Sequence, residues 1–142
     1  MYRIFNPTSS RNMRDAGTLI FRVIIGLLLI SHGFPKLQKL LGEEPIQFAS
    51  VFGISQSTSL FLAMAAEFFC ALLVIFGLAT RIACIPIIIT MAVIVLSIHG
   101  DDPLNKKELP LLYLFSYGYV LLTGPGRISL DNLIYKKRSG NR

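Results

Sequence analysis

The chain reads as an all-α integral membrane protein: a four-helix bundle with short interfacial helices. Three observations predict this. Apolar runs recur that approach the roughly 20 residues a spanning helix needs. Mean hydropathy is +0.60, with 53% hydrophobic and only 15% charged residues, too little polar surface for a soluble domain of 142 residues. Most of the charges fall in tails and loops between the apolar runs.

The run from Thr58 to Leu78, TSLFLAMAAEFFCALLVIFGL, is the centre of the reading, because it carries a single formal charge, Glu67, near its middle. A carboxylate facing lipid at that depth costs several kcal/mol or takes up a proton, so Glu67 must face protein, water or a cation. The other apolar runs offer Arg22, His32, Lys36, His99 and Glu108 as companions.

Taken in order, residues 1–16 form a basic cytoplasmic tail, residues 17–124 the transmembrane domain, and residues 125–142 an interfacial segment with a second basic tail. The first span is predicted over 17–34, with Pro35 ending it. At about 100° per residue, Arg22, Gly26, Leu29, Gly33 and Lys36 share one meridian, while Ile20, Val23, Leu27 and Ile30 point to lipid. Glycines on the polar stripe allow close helix approach. Basic residues before an apolar run imitate a signal peptide, but no small-x-small cleavage site follows, so this is read as an uncleaved span. The connection 35–57 holds two short amphipathic pieces, 35–41 and 45–52, the second with Pro45 at its start.

The second span places Ala63, Ala66, Glu67, Cys70 and Gly77 on one small-residue stripe. A short turn, Ala79 to Arg81, leads into the third span, 82–99, so these two form an antiparallel hairpin. A polar turn over 100–107 precedes a fourth span from Glu108 to Thr123, rich in aromatics. GPGRISLDNLI then gives a sharp stop and an interfacial helix capped by Ser129 or a neighbour. The last seven residues are basic and read as disordered.

Four spans bring both tails to one side, which collects nine Lys and Arg against four on the other, with Arg22 inside the membrane. The positive-inside rule then places both termini in the cytoplasm of a multi-pass inner-membrane protein. The net charge of +6 suits anionic headgroups rather than nucleic acid, given where the charges lie. Cys70 and Cys84 sit in apolar runs at different depths and form no CxxC, which argues against a disulfide, a thioredoxin-like motif or a cysteine zinc site. No internal repeat supports an inverted-repeat transporter.

The candidate polar pocket comprises Arg22, His32, Lys36, Glu67, His99 and Glu108. His32, Lys36, His99 and Glu108 fall at the outer ends of their spans, Glu67 near the midplane, and Arg22 toward the cytoplasmic end. Imidazoles and carboxylates in one pocket suit proton relay or a divalent metal. No HxxxH or ExxH pair lies on one helix, so no metal site is assigned. The plainer alternative has His99 and Glu108 meeting water at helix ends. Arg22 or another polar group of span one is the expected partner of Glu67; the depths of Arg22 and Glu67 differ by about 9 Å. Such a pair either holds two helices in register or marks a site. There is no Ser-His-Asp arrangement, phosphate loop or Rossmann fingerprint, and no catalytic residue is assigned.

In their order and spacing these residues resemble the DoxX family of small bacterial inner-membrane proteins, over about Thr18 to Asp131. The parts are Arg22, Gly26, Gly33 and Lys36 in span one, FGIS before span two, Ala65-Ala66-Glu67 within it, and G-L-x-T-R from Gly77 to Arg81. His99, Glu108 and GPGRISLD from Gly124 to Asp131 complete them. The resemblance implies a four-helix membrane bundle and links to thiosulfate:quinone oxidoreduction, quinone detoxification or oxidative stress. The leading reading is an accessory component of a membrane redox or oxidative-stress system. Its expected partner is the lipid bilayer, with a redox protein and a second copy of the chain as candidates; no cofactor is assigned, and a quinone is the candidate. The alternatives are a quinone-linked oxidoreductase subunit, or a small-solute or proton transporter using a Glu67 pocket. Without a haem or flavin motif or a redox cysteine pair, autonomous redox catalysis is not supported.

Overall fold

The computed structural model describes residues 10–140, which form an all-helical fold with no strand among them. The helices are α1 (Arg11–Leu41), α2 (Gln56–Phe76), α3 (Thr80–Ile98), α4 (Leu104–Thr123) and α5 (Leu130–Ser139). Among the described residues three of these, α1, α2 and α3, are long and apolar enough to cross a membrane. The fourth predicted span differs. α4 has 20 residues, but Lys106, Lys107 and Glu108 occupy its first turns and shorten its apolar stretch.

α1 is longer than predicted at both ends. It starts at Arg11, where the Ser10 hydroxyl accepts the Met13 N–H at 3.3 Å, so the end of the expected tail is helical. It also runs through Pro35 to Leu41 rather than stopping there. Proline removes one backbone bond but keeps a helical φ, and α1 packs on α2 on both sides of it, through Gly33 and Lys36. The predicted piece 35–41 is therefore the end of α1. The piece 45–52 is not helical. Phe52 and Gly53 take φ of +53° and +74° there, and side-chain bonds hold the loop: Lys39 donates to the Gln47 carbonyl and Ser50 to the Ile54 carbonyl. The basic end of the chain is also more ordered than expected, with Lys136 to Ser139 helical. Residues 1–9 and 141–142 of the predicted tails lie outside the described residues.

α1 packs on α2 through its glycine face. A Cβ on Gly33 would lie 2.7 Å from the Glu67 carbonyl carbon, so the two backbones touch. Gly26 admits the Ile75 side chain in the same way. Leu29, Ala71, Val74, Cys84, Ile87, Tyr117 and Val120 are fully buried between the helices. On the opposite side of α1, Ile20 and Leu27 are exposed, with Val23 and Ile30 half-buried. The thiols of Cys70 and Cys84 are free.

α2 ends in a Schellman turn: Leu78 N–H bonds Leu73 O at 2.9 Å and Gly77 N–H bonds Val74 O at 3.1 Å. Gly77 has φ +68°, and a Cβ there would also strike Ser129 and the Arg22 guanidinium. The reversal presents Ala79 and Thr80 to the start of α5, where Ser129 accepts the Asn132 N–H at 3.2 Å as the N-cap.

Candidate functional site

The six predicted site residues divide between two ends of the bundle. At one end Arg22, fully buried, points away from Glu67. Its guanidinium donates to the Pro125 carbonyl and, at 3.0 Å, to the Ile128 carbonyl. Beside it, the Asp131 carboxylate caps α3 from the far end of the chain. It accepts the Ala79 N–H at 2.7 Å, the Thr80 N–H at 3.0 Å and the Thr80 hydroxyl at 2.8 Å. Burial pushes the Asp131 pKa up, but these bonds and the Arg22 charge outweigh it and hold the carboxyl below its usual range. This end is a structural knot joining α1, the α2–α3 turn and the loop before α5.

Glu67 instead meets Lys36, whose Nζ donates to Glu67 Oε2 and, at 3.3 Å, to the His32 carbonyl. Of the two expected kinds of partner, Arg22 or another polar group on the α1 stripe, the second is the one present: Lys36 and not Arg22. Arg22 and Lys36 share a face of α1, but 14 residues apart they are separated by about 21 Å at 1.5 Å per residue. The register set by Gly33 brings Glu67 beside Lys36. The pair is asymmetric: the Glu67 side chain is 2% exposed and that of Lys36 23%. Lys36 buries its stem and keeps its head near the opening.

The pair lines a cavity of about 210 Å³ that His32, His99, Lys106 and Tyr113 also line, with Leu29 and Met91 at its inner end. Tyr113 stands edge-on to His32, ring centroids 5.9 Å apart. Among the described residues, the two places where a helix departs from regular α-geometry both border this space. Wider i→i+5 turns occur over Ala65–Cys70, which carries Glu67, and over Ile94–Ile98, which delivers His99. Such turns often mark functional sites, because they re-aim the side chains they carry.

His99 stands at the rim. Its Nδ1 lies 2.8 Å from Asp102 Oδ2, and Lys106 reaches Asp102 Oδ1 at 3.1 Å. The His99 hydrogen bond, followed by that of Lys106, holds the Asp102 carboxyl below its usual range. Glu108 is exposed and does not line the cavity. Sequence reasoning left out Lys106, Asp102 and Tyr113. The i, i+3 and i, i+4 spacing of His99, Asp102 and Lys106 was the available signal for the first two. Tyr113 gave none beyond its place among other span-four aromatics. Among the described residues, no group of three His, Cys, Asp or Glu is disposed to hold a metal ion.

Comparison with known proteins agrees with this architecture. Over 129 residues the chain is 33% identical to a Bacillus subtilis (strain 168) protein named "Putative oxidoreductase CatD", covering 89% of this chain and 94% of the relative. It is 28% identical over 134 residues to an uncharacterized membrane protein of Mycobacterium tuberculosis, covering 84% and 82%. It is 27% identical over 131 residues to the inner membrane protein YqjF of Escherichia coli (strain K12), covering 89% and 98%. No solved structure matches the chain. The DoxX family model matches residues 17–100, from the glycine face of α1 to the His99 rim, and the chain belongs to the DoxX family.

Proposed function

We propose that this chain is a quinone-binding component of a membrane redox or oxidative-stress system, holding the quinone head in the Lys36–Glu67 cavity while a partner protein supplies electrons. The observation that carries this reading is a buried ion pair on the wall of a small cavity whose inner end is apolar. A quinone ring offers carbonyl acceptors on a flat apolar body. Lys36 and the Tyr113 hydroxyl supply donors, and Leu29 and Met91 supply the apolar contact. The volume of about 210 Å³ lies below the roughly 300–1,000 Å³ typical of pockets that enclose drug-sized ligands, which suits a single-ring head better than a flavin or haem. A quinone takes up protons when it is reduced; Lys36, His32 and His99 are placed to exchange protons with the open side of the cavity. The name of the Bacillus subtilis relative is in keeping with redox work.

For transport, a polar path would have to continue past Glu67. Leu29 and Met91 stand at the inner end instead, with fully buried Ile87 and Tyr117 among the core residues of the same helices, which favours binding over passage. In this reading α4 is the fourth span, its charged first turns in the headgroup region and both termini cytoplasmic in the inner membrane. Beyond those turns residues 109–123 give about 22 Å of helix, shorter than a bilayer core of about 30 Å, a mismatch that local thinning and snorkelling of Lys106 and Lys107 accommodate.

Titration of the detergent-solubilised protein with a short-chain ubiquinone, followed by tyrosine fluorescence quenching, tests the proposal. Saturable binding is expected, weakened about tenfold by Lys36→Met and less by Tyr113→Phe, since a charged donor contributes more than a neutral one. Absence of saturable binding, or equal affinity in Lys36→Met, overturns it.

A further inference from the structure

At the Arg22 end, α1 and α4 approach through Phe21 and Tyr119, whose rings meet edge to face with centroids 5.8 Å apart. These rings and the flanking helix ends border a cavity of about 840 Å³, remote from the Lys36–Glu67 pocket. Its basic lining comes from Arg11 and Arg14, one turn apart on α1, and from Arg127 in the loop after α4. Among the described residues the one acidic group in the lining is Asp15, which accepts the Arg127 backbone N–H at 3.2 Å. The hydroxyls of Thr18 and Thr123 donate to carbonyls of their own helices, Arg14 at 2.9 Å and Tyr119 at 2.8 Å. Among the described residues, the guanidiniums and the Tyr119 hydroxyl are therefore the side-chain donors left for a ligand, and only the guanidiniums carry charge. The wall is closely built: Gly126 has φ +76°, and a Cβ there would lie 3.3 Å from Thr18.

We propose that this cavity binds an anionic phospholipid, its phosphate held by Arg11, Arg14 and Arg127 and its chains descending past Phe21 and Tyr119. The net positive lining selects an anion, and the planar guanidinium fork matches phosphate oxygens. A zwitterionic headgroup would bring its own cation among the arginines. Tyr119 is 55% exposed and Leu122, one turn on, 80% exposed, so the aromatic border continues into an apolar outer surface. A lipid uses both the basic and the apolar part of this site; a soluble phosphate uses only the first.

Native mass spectrometry of the full chain, exchanged into mixed phosphatidylglycerol and phosphatidylcholine micelles, provides the test. Wild type is expected to retain phosphatidylglycerol preferentially. The triple variant Arg11→Gln, Arg14→Gln, Arg127→Gln is expected to lose that retention by about tenfold or more, as removal of several charge contacts to an anionic lipid implies. A second triple variant, Lys136→Gln, Lys137→Gln, Arg138→Gln on exposed α5, removes the same charge elsewhere and is expected to retain the lipid. Circular dichroism melts in neutral detergent check that both variants fold; a cavity variant that unfolds is replaced by the single Arg14→Gln, with a smaller loss expected. Retention unchanged in the cavity variant, or lost equally in the α5 variant, overturns the site. Displacement of the lipid by millimolar inorganic phosphate would make it a phosphate site and overturn the lipid assignment.

Discussion

Lys36 Nζ donates to Glu67 Oε2 one turn beyond the point where Gly33 brings α1 against the backbone of α2. Breaking such a pair by removing one partner is costlier than removing both, because the remaining charge is left desolvated. Lys36→Met should therefore lower stability by about 3 kcal/mol, the low end for buried pairs because Lys36 is partly exposed. The double variant Lys36→Met, Glu67→Leu should recover most of that loss. Thermal melts in detergent across the double-mutant cycle measure it. Equal melting of Lys36→Met and wild type would mean that the pair does not order this interface.

The two interface glycines should respond differently to a methyl group. At Gly33 the added Cβ meets backbone, Glu67 carbonyl carbon at 2.7 Å and Phe68 nitrogen at 2.8 Å, and backbone cannot step aside. Gly33→Ala should cost about 1–3 kcal/mol as the helices are pushed apart, and should weaken ligand binding at the adjacent pair. At Gly26 the closest atom is Ile75 Cγ1, which a helical β-branched residue moves only by leaving its favoured χ1, so Gly26→Ala should cost about 1 kcal/mol, less than a clash with backbone. The same melts, run side by side, rank them.

Asp131 gives the knot a pH dependence with a definite sign. Its folded pKa is held below its unfolded value, near about 3.9. Its contribution is therefore present in full above roughly pH 4 and is lost as pH falls through the lower folded value. Asp131→Ala should cost about 1–2 kcal/mol at neutral pH, as loss of an N-cap does, and the gap from wild type should close in acid. Melting temperatures of both proteins from pH 7 to pH 2 test this. A gap that widened in acid would contradict the sign.

Topology is testable in a background with Cys70 and Cys84 replaced. With both ends cytoplasmic, single cysteines at Ser10 and Ser139 should resist an impermeant maleimide in spheroplasts, while cysteines at Glu44 and Asp101 should react. Reaction at Ser10 or Ser139 would invert or break the four-span arrangement.

Helical class, the buried stripe of α1 and the cap of α5 were all legible in the sequence. Each depends on local spacing: apolar length for the spans, a repeating angle for Gly26, Leu29 and Gly33, and a Ser129 hydroxyl placed before a helical run. Which polar group of α1 meets Glu67 was not legible, because it depends on the register of α1 against α2. That register follows from backbone contact at Gly33 and from α1 continuing through Pro35, where local propensity predicts a stop. Arg22 was recognised as buried, but its acceptors lie 103 and 106 residues away and are carbonyls, which carry no side-chain signature. Glu108 and Lys106 are close neighbours on α4, yet only Lys106 lines the cavity, a choice made by the rotation of α4 against α3. Periodicity belongs to one helix and is written in the chain. Which charge meets which across an interface is decided by how closely two backbones approach, and so by the tertiary structure alone.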